Sequence, residues 1–322
     1  GMRELACNLV LPRDADRREE ILEELEALPL PEEELPAPRF PAPLRRSDAP
    51  GFAGWRAGVG RALAAFEEGR MDKVVLARRA AFSFGGPLDA PALARALRAV
   101  TPGCFHFYFE PQEGAAFLGA SPERLYRREG RSVTSEAVAG TRPRGSSEAD
   151  DRALGGELLG SEKDREEHAY VLRSIREELA PLCESLRADG DVSEMRLASR
   201  RHLVARLRGV LRPGVTDADL LETLHPTPAV GGYPRRAALA ELRSSEPFDR
   251  GWYAGPVGWI GAGGAEFAVG IRSGLVRGSE LALFSGAGIV RGSAAAEEWA
   301  EIEQKISDFA GILGLEGRDA SG

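Results

Sequence analysis

Hydrophobic residues recur at intervals of three or four along several segments of the chain, which predicts amphipathic helices. Such segments cover residues 17–28 and 90–100, the second with Asp89 as its N-terminal cap. Between them, four apolar residues share one helical face: Trp55, Val59, Leu63 and Phe66. The longest helix is predicted over 161–187, where Ser161 is the cap and Asp164 follows three residues later. A last helix is predicted over about 294–313.

Other segments alternate or concentrate β-branched and aromatic residues, which is typical of strands. They are KVVLARRAAFSF (73–84), CFHFYFE (104–110), AAFLGA (115–120) and a hairpin over 123–140 that turns near Glu129 and Gly130. VSEMRLAS (192–199) indicates a strand region, and HLVARLRGVL (202–211) and ADLLETL (218–224) are interpreted as short helices. The final third is rich in strands and glycine. Because helices and strands mix without strict βαβ alternation, we predict an α+β fold with largely antiparallel sheets.

A proline-rich stretch separates the beginning of the chain from the rest. Residues 29–43 hold six prolines, which predicts a loop or extended linker. We therefore expect a short N-terminal segment over 1–50 and one catalytic domain over 51–315. No internal repeat is found.

Composition narrows the function. The net charge is −8 and there is no basic tract, so nucleic acid is not an expected partner. No apolar run approaches the roughly 20 residues that span a membrane, and no signal peptide is recognisable. The three cysteines are scattered, without the spacing of a zinc site or a disulfide framework. We expect a cytoplasmic protein.

Lysine is rare in this chain. Only Lys73, Lys163 and Lys305 accompany 39 arginines. A lysine can lose its proton and act as a base, whereas an arginine cannot. Lys73 begins an apolar strand, and Glu123 lies in the small-residue turn GASPERL, where a carboxyl could stay protonated and act as an acid. On pattern alone, an exposed lysine and a turn glutamate remain the plainer interpretation.

Two predicted helices carry acidic residues on an inward edge. Glu167 lies four residues before Val171, and Glu298, Glu301 and Lys305 share one face of the last helix. Carboxylates from two helices suit a hard divalent cation that keeps some water, such as Mg²⁺. The alternative is a solvated face with an ordinary helical Glu301–Lys305 pair.

Glycine-rich and basic segments could bind an anion. FSGAGIVRGS places Gly286 and Gly288 between a strand and a helix, AVAGTRPRG presents Gly140 and Thr141, and VGIRSG places Arg272 on a strand. Glycine lets backbone N–H groups approach a carboxylate, and arginine can hold one through two hydrogen bonds. GAGG (261–264) is interpreted as a hairpin turn rather than a dinucleotide site.

Taken together, these segments indicate a protein family more specifically than any one of them does alone. In order along residues 50–315, they resemble the sequence blocks of the chorismate-utilising enzymes: KVVLARR, FLGASPERL, AVAGTRPRG, SEKDREEH, LHPTPAVGGYP, EPFDRGWYAGPVGW, GIRSG, FSGAGIVRGS and EEWAEIEQK. The resemblance implies one domain of large, mostly antiparallel sheets with flanking helices, the active site in the cleft between them, Mg²⁺ as cofactor and the dicarboxylate chorismate as substrate.

The resemblance also implies roles for individual residues. Lys73 would activate water for attack at C2 of chorismate, and Glu123 would protonate the departing C4 hydroxyl. Glu167 and Glu301 would bind Mg²⁺, with Glu298 helping through water. The remaining positions would bind substrate: Gly140 and Thr141 at the ring carboxylate; Arg272, Tyr253, the Gly288 amide and Lys305 at the enolpyruvyl carboxylate; His225 beside the C4 hydroxyl.

The same comparison favours one activity within the family. Anthranilate synthases usually carry Gln where Lys73 stands, and aminodeoxychorismate synthases carry a nucleophilic Lys in the position of Ala139. A lysine base without a nucleophilic lysine implies that water is the nucleophile, so the resemblance favours isochorismate synthase. Its product would serve the synthesis of menaquinone or of a siderophore, and no glutaminase partner is expected. Salicylate synthase, which adds pyruvate elimination, and a non-catalytic relative stay open. Many isochorismate synthases have a longer region before the lysine motif, so the first lobe is expected to differ.

Overall fold

The computed structural model describes residues 15–27, 37–198 and 200–315. The chain divides into two compact units, one ending at Ala37 and one beginning at Pro38. In the first unit a single-turn 3₁₀ helix (Ala15–Arg17) leads into helix α1 (Arg18–Ala27), which confirms the helix predicted over 17–28. Most of the predicted proline-rich linker lies outside the described residues.

The second unit contains helices and strands in mixed order, beginning with strand β1. The helices are α2 (Phe52–Glu67), α3 (Ala90–Val100), α4 (Glu148–Gly160), α5 (Glu162–Leu179), α6 (Asp217–Leu224), α7 (Arg235–Ser245), α8 (Ala295–Lys305) and α9 (Ser307–Leu313). The strands are β1 (Pro43–Ala49), β2 (Lys73–Phe84), β3 (Phe105–Gln112), β4 (Ala115–Ser121), β5 (Arg124–Glu129), β6 (Ser132–Pro143), β7 (Cys183–Arg196), β8 (Arg200–Leu211), β9 (Gly232–Tyr233), β10 (Pro256–Ile260), β11 (Gly264–Val269), β12 (Ser273–Arg277) and β13 (Glu280–Ile289).

The strands form two antiparallel sheets. The first has the order β1-β2-β13-β12-β4-β3, with β9 paired to β2, and the second has the order β10-β11-β5-β6-β8-β7. The predicted α+β class with antiparallel sheets is therefore confirmed. The longest pairing without a register shift joins β2 to β13 and sets Gly288 opposite Val75, next to the first residues of β2. This pairing positions the beginning of β2 beside the glycine-rich end of β13.

Local signals in the sequence account for two helix starts. The Asp89 carboxylate accepts a hydrogen bond from the Ala92 amide at 2.8 Å, and the Ser161 hydroxyl accepts one from the Asp164 amide at 3.2 Å. Each bond satisfies an amide that has no partner inside the helix, which stabilises the start by about 1 kcal/mol. Both predicted caps are confirmed, and the second fixes the first turn of α5, the helix that carries Glu167.

Three groups of buried apolar side chains hold the elements together. Helices α3 and α9 cover one face of the first sheet, helices α5 and α6 pack on the second sheet, and helices α2, α7 and α8 surround the β2–β13 pair. Within the last group, Trp55 is 1% exposed, meets Trp299 edge to face at 5.9 Å between ring centroids and donates its indole N–H to the carbonyl oxygen of Ala295. This packing fixes the start of α8, the helix that carries Glu298 and Glu301.

Three predicted helices were wrong in type or extent. Residues 202–211 form most of strand β8, in which exposed Arg206 and Arg208 alternate with buried Leu207 and Gly209, the two-residue repeat of a strand. The helix predicted to reach 187 ends at Leu179, and a 3₁₀ turn that contains Pro181 leads into β7. The last helix is divided at Ile306 into α8 and α9. Among the described residues, no helix combines the length and apolarity needed to cross a membrane.

Candidate active site

A single pocket collects side chains from both sheets and from two helices. It holds about 690 Å³ of empty space, including its open mouth. Its walls come from the β4–β5 turn, the end of β6, the beginning of β8, the β13 glycines and helices α5 and α8. Nine of the twelve predicted site residues line it: Glu123, Gly140, Thr141, Glu167, Tyr253, Arg272, Gly288, Glu301 and Lys305.

Lys73 lies directly behind the pocket wall. Its side chain is 0% exposed, and its Nζ is 3.0 Å from Oε1 of Glu167. A Cβ added to Gly288 would stand 3.1 Å from Lys73 Cε and 2.2 Å from Glu167 Oε1, so only glycine leaves room for this pair. The amine has no hydrogen-bond partner of good geometry among the described residues. It is therefore a buried amine held by one carboxylate, with capacity left to bind a further group.

Glu123 projects into the same pocket from the turn after β4. Its side chain is 4% exposed, its backbone amide donates to the Ser121 hydroxyl at 3.2 Å, and the Thr227 hydroxyl approaches its Oε1 at 3.5 Å. Burial raises the pKa of Glu123 to about 7, against the opposing effect of the positive charges on Lys73 and Lys305. A substantial fraction of this carboxyl is thus protonated near neutral pH, which suits a proton donor.

The three lysines of the chain pair with the three glutamates predicted to bind metal. The nitrogen–oxygen distances are 3.0 Å for Lys73–Glu167, 2.7 Å for Lys163–Glu298 and 2.6 Å for Lys305–Glu301. The glutamates come from α5 and α8, and their lysine partners come from β2, α5 and α8. The rare lysines therefore do not scatter over the surface. They balance one carboxylate cluster.

The donor set of this cluster fits a hard divalent cation. Glu167 and Glu301 both line the pocket, whereas Glu298 is 2% exposed and is absent from the lining. Within the described ranges, no three His, Cys, Asp or Glu side chains are grouped closely enough to form a metal site by themselves. Two carboxylates with the remaining positions open to water and substrate are a common environment for Mg²⁺.

The end of the pocket that contains Arg272 and Lys305 is cationic, and it adjoins Glu301, whose Oε1 lies 2.6 Å from Lys305 Nζ. Arg272 has a positive φ of 52°, an uncommon conformation for a residue other than glycine, which directs this side chain from the start of β12. Burial lowers its pKa to about 9, so it stays charged at neutral pH. Lys305 donates to the Gly286 carbonyl oxygen at 2.7 Å, and Tyr253 stacks on Phe284 at 5.3 Å between ring centroids. This end can hold a carboxylate.

His202 is a pocket residue that the sequence analysis missed. Its Nδ1 lies 3.0 Å from the Gly140 carbonyl oxygen and 3.1 Å from the Thr141 hydroxyl. A carbonyl oxygen can only accept, so Nδ1 carries the proton and Nε2 presents a lone pair. That Nε2 is buried without a partner among the described residues, and burial lowers the pKa of His202 to about 3. The alternation of inward and outward side chains along β8 could have pointed to His202, but residues 202–211 were interpreted as a helix.

The structure does not place His225 in the lining of this pocket, and the expected contact of His225 with the substrate stays a prediction. His225 caps the C-terminal end of α6 and faces an adjacent cavity lined also by Pro226, Gly231 and Leu239. Val230 and Tyr253 line both cavities and form the wall between them. His225 therefore lies one cavity away from the residues that line the pocket.

Comparison with known proteins identifies the family of the chain. Residues 3–314 match the family model of the chorismate binding enzymes. The chain is 41% identical to isochorismate synthase MenF of Bacillus subtilis over 266 residues, which are 82% of this chain and 56% of that protein. It is 38% identical to the chloroplastic isochorismate synthase of Catharanthus roseus, covering 76% of this chain and 43% of that protein. The chain thus spans about half the length of these relatives.

Solved structures show the same fold. The menaquinone-specific isochorismate synthase MenF of Escherichia coli superposes with a TM-score of 0.85 at 34% identity, covering 94% of this chain and 69% of that one. Anthranilate synthase component I of Streptococcus pneumoniae superposes with a TM-score of 0.77 at 25% identity, covering 95% of this chain and 67% of that one. From the family match over nearly its whole length and from this shared fold, the chain belongs to the chorismate-binding enzyme family.

Proposed function

We propose that this protein is an isochorismate synthase, an isomerase that converts chorismate to isochorismate. The observation that carries the proposal is a buried amine directly behind the wall of the pocket into which a buried carboxyl projects. Lys73 is 0% exposed, Glu123 is 4% exposed, and the pKa of Glu123 is raised to about 7. We propose residues 51–315 as the catalytic domain, to whose first sheet β1 adds an edge strand.

The charges of the pocket match a dicarboxylate. Arg272 and Lys305 would hold the enolpyruvyl carboxylate, with the Tyr253 hydroxyl and the Gly288 amide as further donors. The ring carboxylate would lie at the other end, against the backbone at Gly140 and Thr141 and near the carboxylate cluster. Since the cationic residues are buried or half-buried, their interaction with an anion is stronger than it would be in water.

The reaction needs a base and an acid on the two faces of the ring. Lys73 would take a proton from a water molecule as its oxygen forms a bond to C2. The ring double bonds shift, the C4–oxygen bond breaks, and protonated Glu123 gives its proton to the departing hydroxyl, which leaves as water. One water is added and one is released, so the net change is an isomerisation. Each of these proton transfers contributes about 10² to 10⁴ in rate.

We propose Mg²⁺ as the cofactor, held by Glu167 and Glu301. When bound, it supplies positive charge that attracts the ring carboxylate and offsets the charge of Glu167. Glu167 also lies 3.0 Å from Lys73, so the carboxylate that would hold the cation is the one that contacts the proposed base.

Water is favoured over ammonia as the nucleophile because of two residues. Lys73 supplies a base, and Ala139, 9% exposed on the pocket wall, cannot attack the ring as a lysine could. No glutaminase partner is then needed. We propose that the product feeds menaquinone or a siderophore in the cytoplasm. Cys104 and Cys183 are free thiols, as in proteins of a reducing compartment.

A product assay tests the proposal. The purified protein is incubated with chorismate and MgCl₂, without ammonia, and the products are separated by chromatography. Isochorismate as the product supports the proposal, and its formation should stop when the metal is chelated. Stoichiometric release of pyruvate with salicylate would assign the second step as well. Turnover only with ammonia, or binding of chorismate without turnover, would overturn the proposal.

A further inference from the structure

Lys163 occupies a distinct place among the three lysines. It lies in the first turn of α5, four residues before Glu167, and its side chain is 42% exposed. Its Nζ donates to Oε1 of Glu298 at 2.7 Å. Neither Lys163 nor Glu298 lines the substrate pocket, whereas Lys305 does, and Lys73 contacts the pocket residue Glu167. A role for Lys163 in holding the substrate therefore does not follow from its position.

Glu298 is the most buried of the three clustered carboxylates. It is 2% exposed and lies one helical turn before Glu301 on α8. A buried carboxylate beside another negative charge needs a partner, and Lys163 supplies it. The positive charge of Lys163 also acts on Glu167 and Glu301. Its bond to Glu298, together with a hydrogen bond from the Ser293 side chain, holds this carboxylate one helical turn from Glu301.

The number of carboxylates on the cation decides the charge that the substrate meets. Glu167 and Glu301 together neutralise one divalent cation, so an incoming carboxylate meets no net repulsion. A third carboxylate would bind the cation more tightly and leave a net charge of about −1 beside the anionic substrate, since affinity for hard cations rises with the ligand charge count. A site that must bind both a cation and a dicarboxylate therefore gains from withholding the third carboxylate.

We propose that Lys163 is a positioning residue that keeps Glu298 away from the metal, so that the site presents two carboxylates rather than three. This inference rests on the metal site of the proposed function. It explains why a lysine outside the substrate pocket is paired with a carboxylate of the cluster, and why Glu298 lies behind the lining formed by Glu167 and Glu301. It predicts opposite changes in affinity for metal and for substrate when Lys163 is removed.

Calorimetric titration with MgCl₂, on protein free of chorismate, tests the inference. Lys163→Met should bind Mg²⁺ about tenfold more tightly than the wild type, in line with the added ligand charge. Lys163→Arg, which keeps the charge and the pairing, should bind as the wild type does. In the presence of Mg²⁺, Lys163→Met should also bind chorismate about tenfold more weakly. Unchanged or weaker Mg²⁺ binding by Lys163→Met would overturn the inference.

A double variant distinguishes an effect of Lys163 through Glu298 from direct repulsion between Lys163 and the cation. If Lys163 acts through Glu298, then Lys163→Met with Glu298→Gln should return to an affinity within about threefold of the wild type. If the gain persists in the double variant, the lysine merely repels the cation and the inference is wrong. Circular dichroism of each variant confirms folding. Because the titration measures metal affinity and not product, it can succeed or fail independently of the isochorismate assay.

Discussion

Replacing Glu123 by glutamine should make the protein more stable at alkaline pH while removing most of its activity. Glutamine has nearly the same shape but cannot ionise. In the folded protein Glu123 is 4% exposed, and burial raises its pKa from the ordinary 4.5 to about 7. In the unfolded chain the same carboxyl is in water and ionises at its ordinary pKa. The folded state therefore holds this proton more tightly than the unfolded state does.

The size of the effect follows from that difference. Below pH 4.5 the carboxyl is neutral in both states and costs nothing. As the pH rises toward 7, ionisation favours the unfolded chain, and above pH 7 the full penalty is present. The interval between 4.5 and about 7 corresponds to about 3 kcal/mol at 1.36 kcal/mol for each pH unit. Glu123→Gln should therefore match the wild type near pH 4.5 and gain up to about 3 kcal/mol at pH 8.

Urea unfolding of both proteins at pH 5, 6, 7 and 8 measures this gain. Glu136→Gln is the matched control: Glu136 is 6% exposed but accepts hydrogen bonds from Arg124 at 2.9 Å and Arg206 at 3.1 Å. Glu136→Gln removes the charge from these hydrogen bonds and should therefore lower the free energy of unfolding at pH 8, whereas Glu123→Gln should raise it. Turnover of Glu123→Gln should fall by about 10² to 10⁴. A stability difference that does not grow between pH 5 and pH 8 would refute the reasoning.

Two further variants test the geometry of the pocket. In Gly288→Ala the new methyl group would stand 2.2 Å from Glu167 Oε1, so the carboxylate must move. We therefore expect Mg²⁺ binding, measured by calorimetry, to be at least about tenfold weaker. The control Gly60→Ala, whose methyl group meets nothing within 4 Å, should bind Mg²⁺ as the wild type does. Equal affinity for both variants would contradict the placement of Glu167. Arg272→Gln should raise KM for chorismate about 100-fold with a smaller change in kcat, since charge-assisted hydrogen bonds to a bound carboxylate are lost. Arg277→Gln, exposed at the far end of the strand that follows Arg272, should leave KM unchanged. An unaltered KM in Arg272→Gln would remove this residue from substrate binding.

Sequence patterns predicted the parts of the fold that depend on near neighbours. The caps at Asp89 and Ser161 and the hairpin turn near Glu129 each involve residues within a few positions of one another, and each is confirmed. Strand β8 was missed for a physical reason. Leu203, Leu207 and Leu211 recur every four residues, as in a helix, while the arginines between them fit the two-residue repeat of a strand equally well. Only pairing with β6 and β7 decides between the two.

The site was partly accessible from sequence because motif resemblance carries positions across the chain. It assigned Glu123, Glu167 and Arg272, and the structure brings them to one pocket. It could not give the pairing of Lys163 with Glu298, which are 135 residues apart. Such contacts depend on how α5 and α8 approach each other, and no local pattern encodes that.

The sequence also did not predict which side chains line which cavity. The resemblance of LHPTPAVGGYP implies that His225 contacts the substrate, and the structure places His225 in the lining of the adjacent cavity, which shares Val230 and Tyr253 with the pocket. His202 was missed because residues 202–211 were interpreted as a helix. Its hydrogen bond to Gly140 depends on the register between β6 and β8. A side chain's direction at a wall is set by tertiary packing rather than by its neighbours in the chain.

The central claim is that Lys73 acts as the base, and the turnover number of Lys73→Arg tests it most directly. Arginine keeps the positive charge beside Glu167 but cannot give up its proton at working pH. With chorismate and Mg²⁺ binding checked by calorimetry, the account predicts that kcat for isochorismate formation falls by about two to four orders of magnitude. A variant that binds both and turns over at close to the wild-type rate would contradict it.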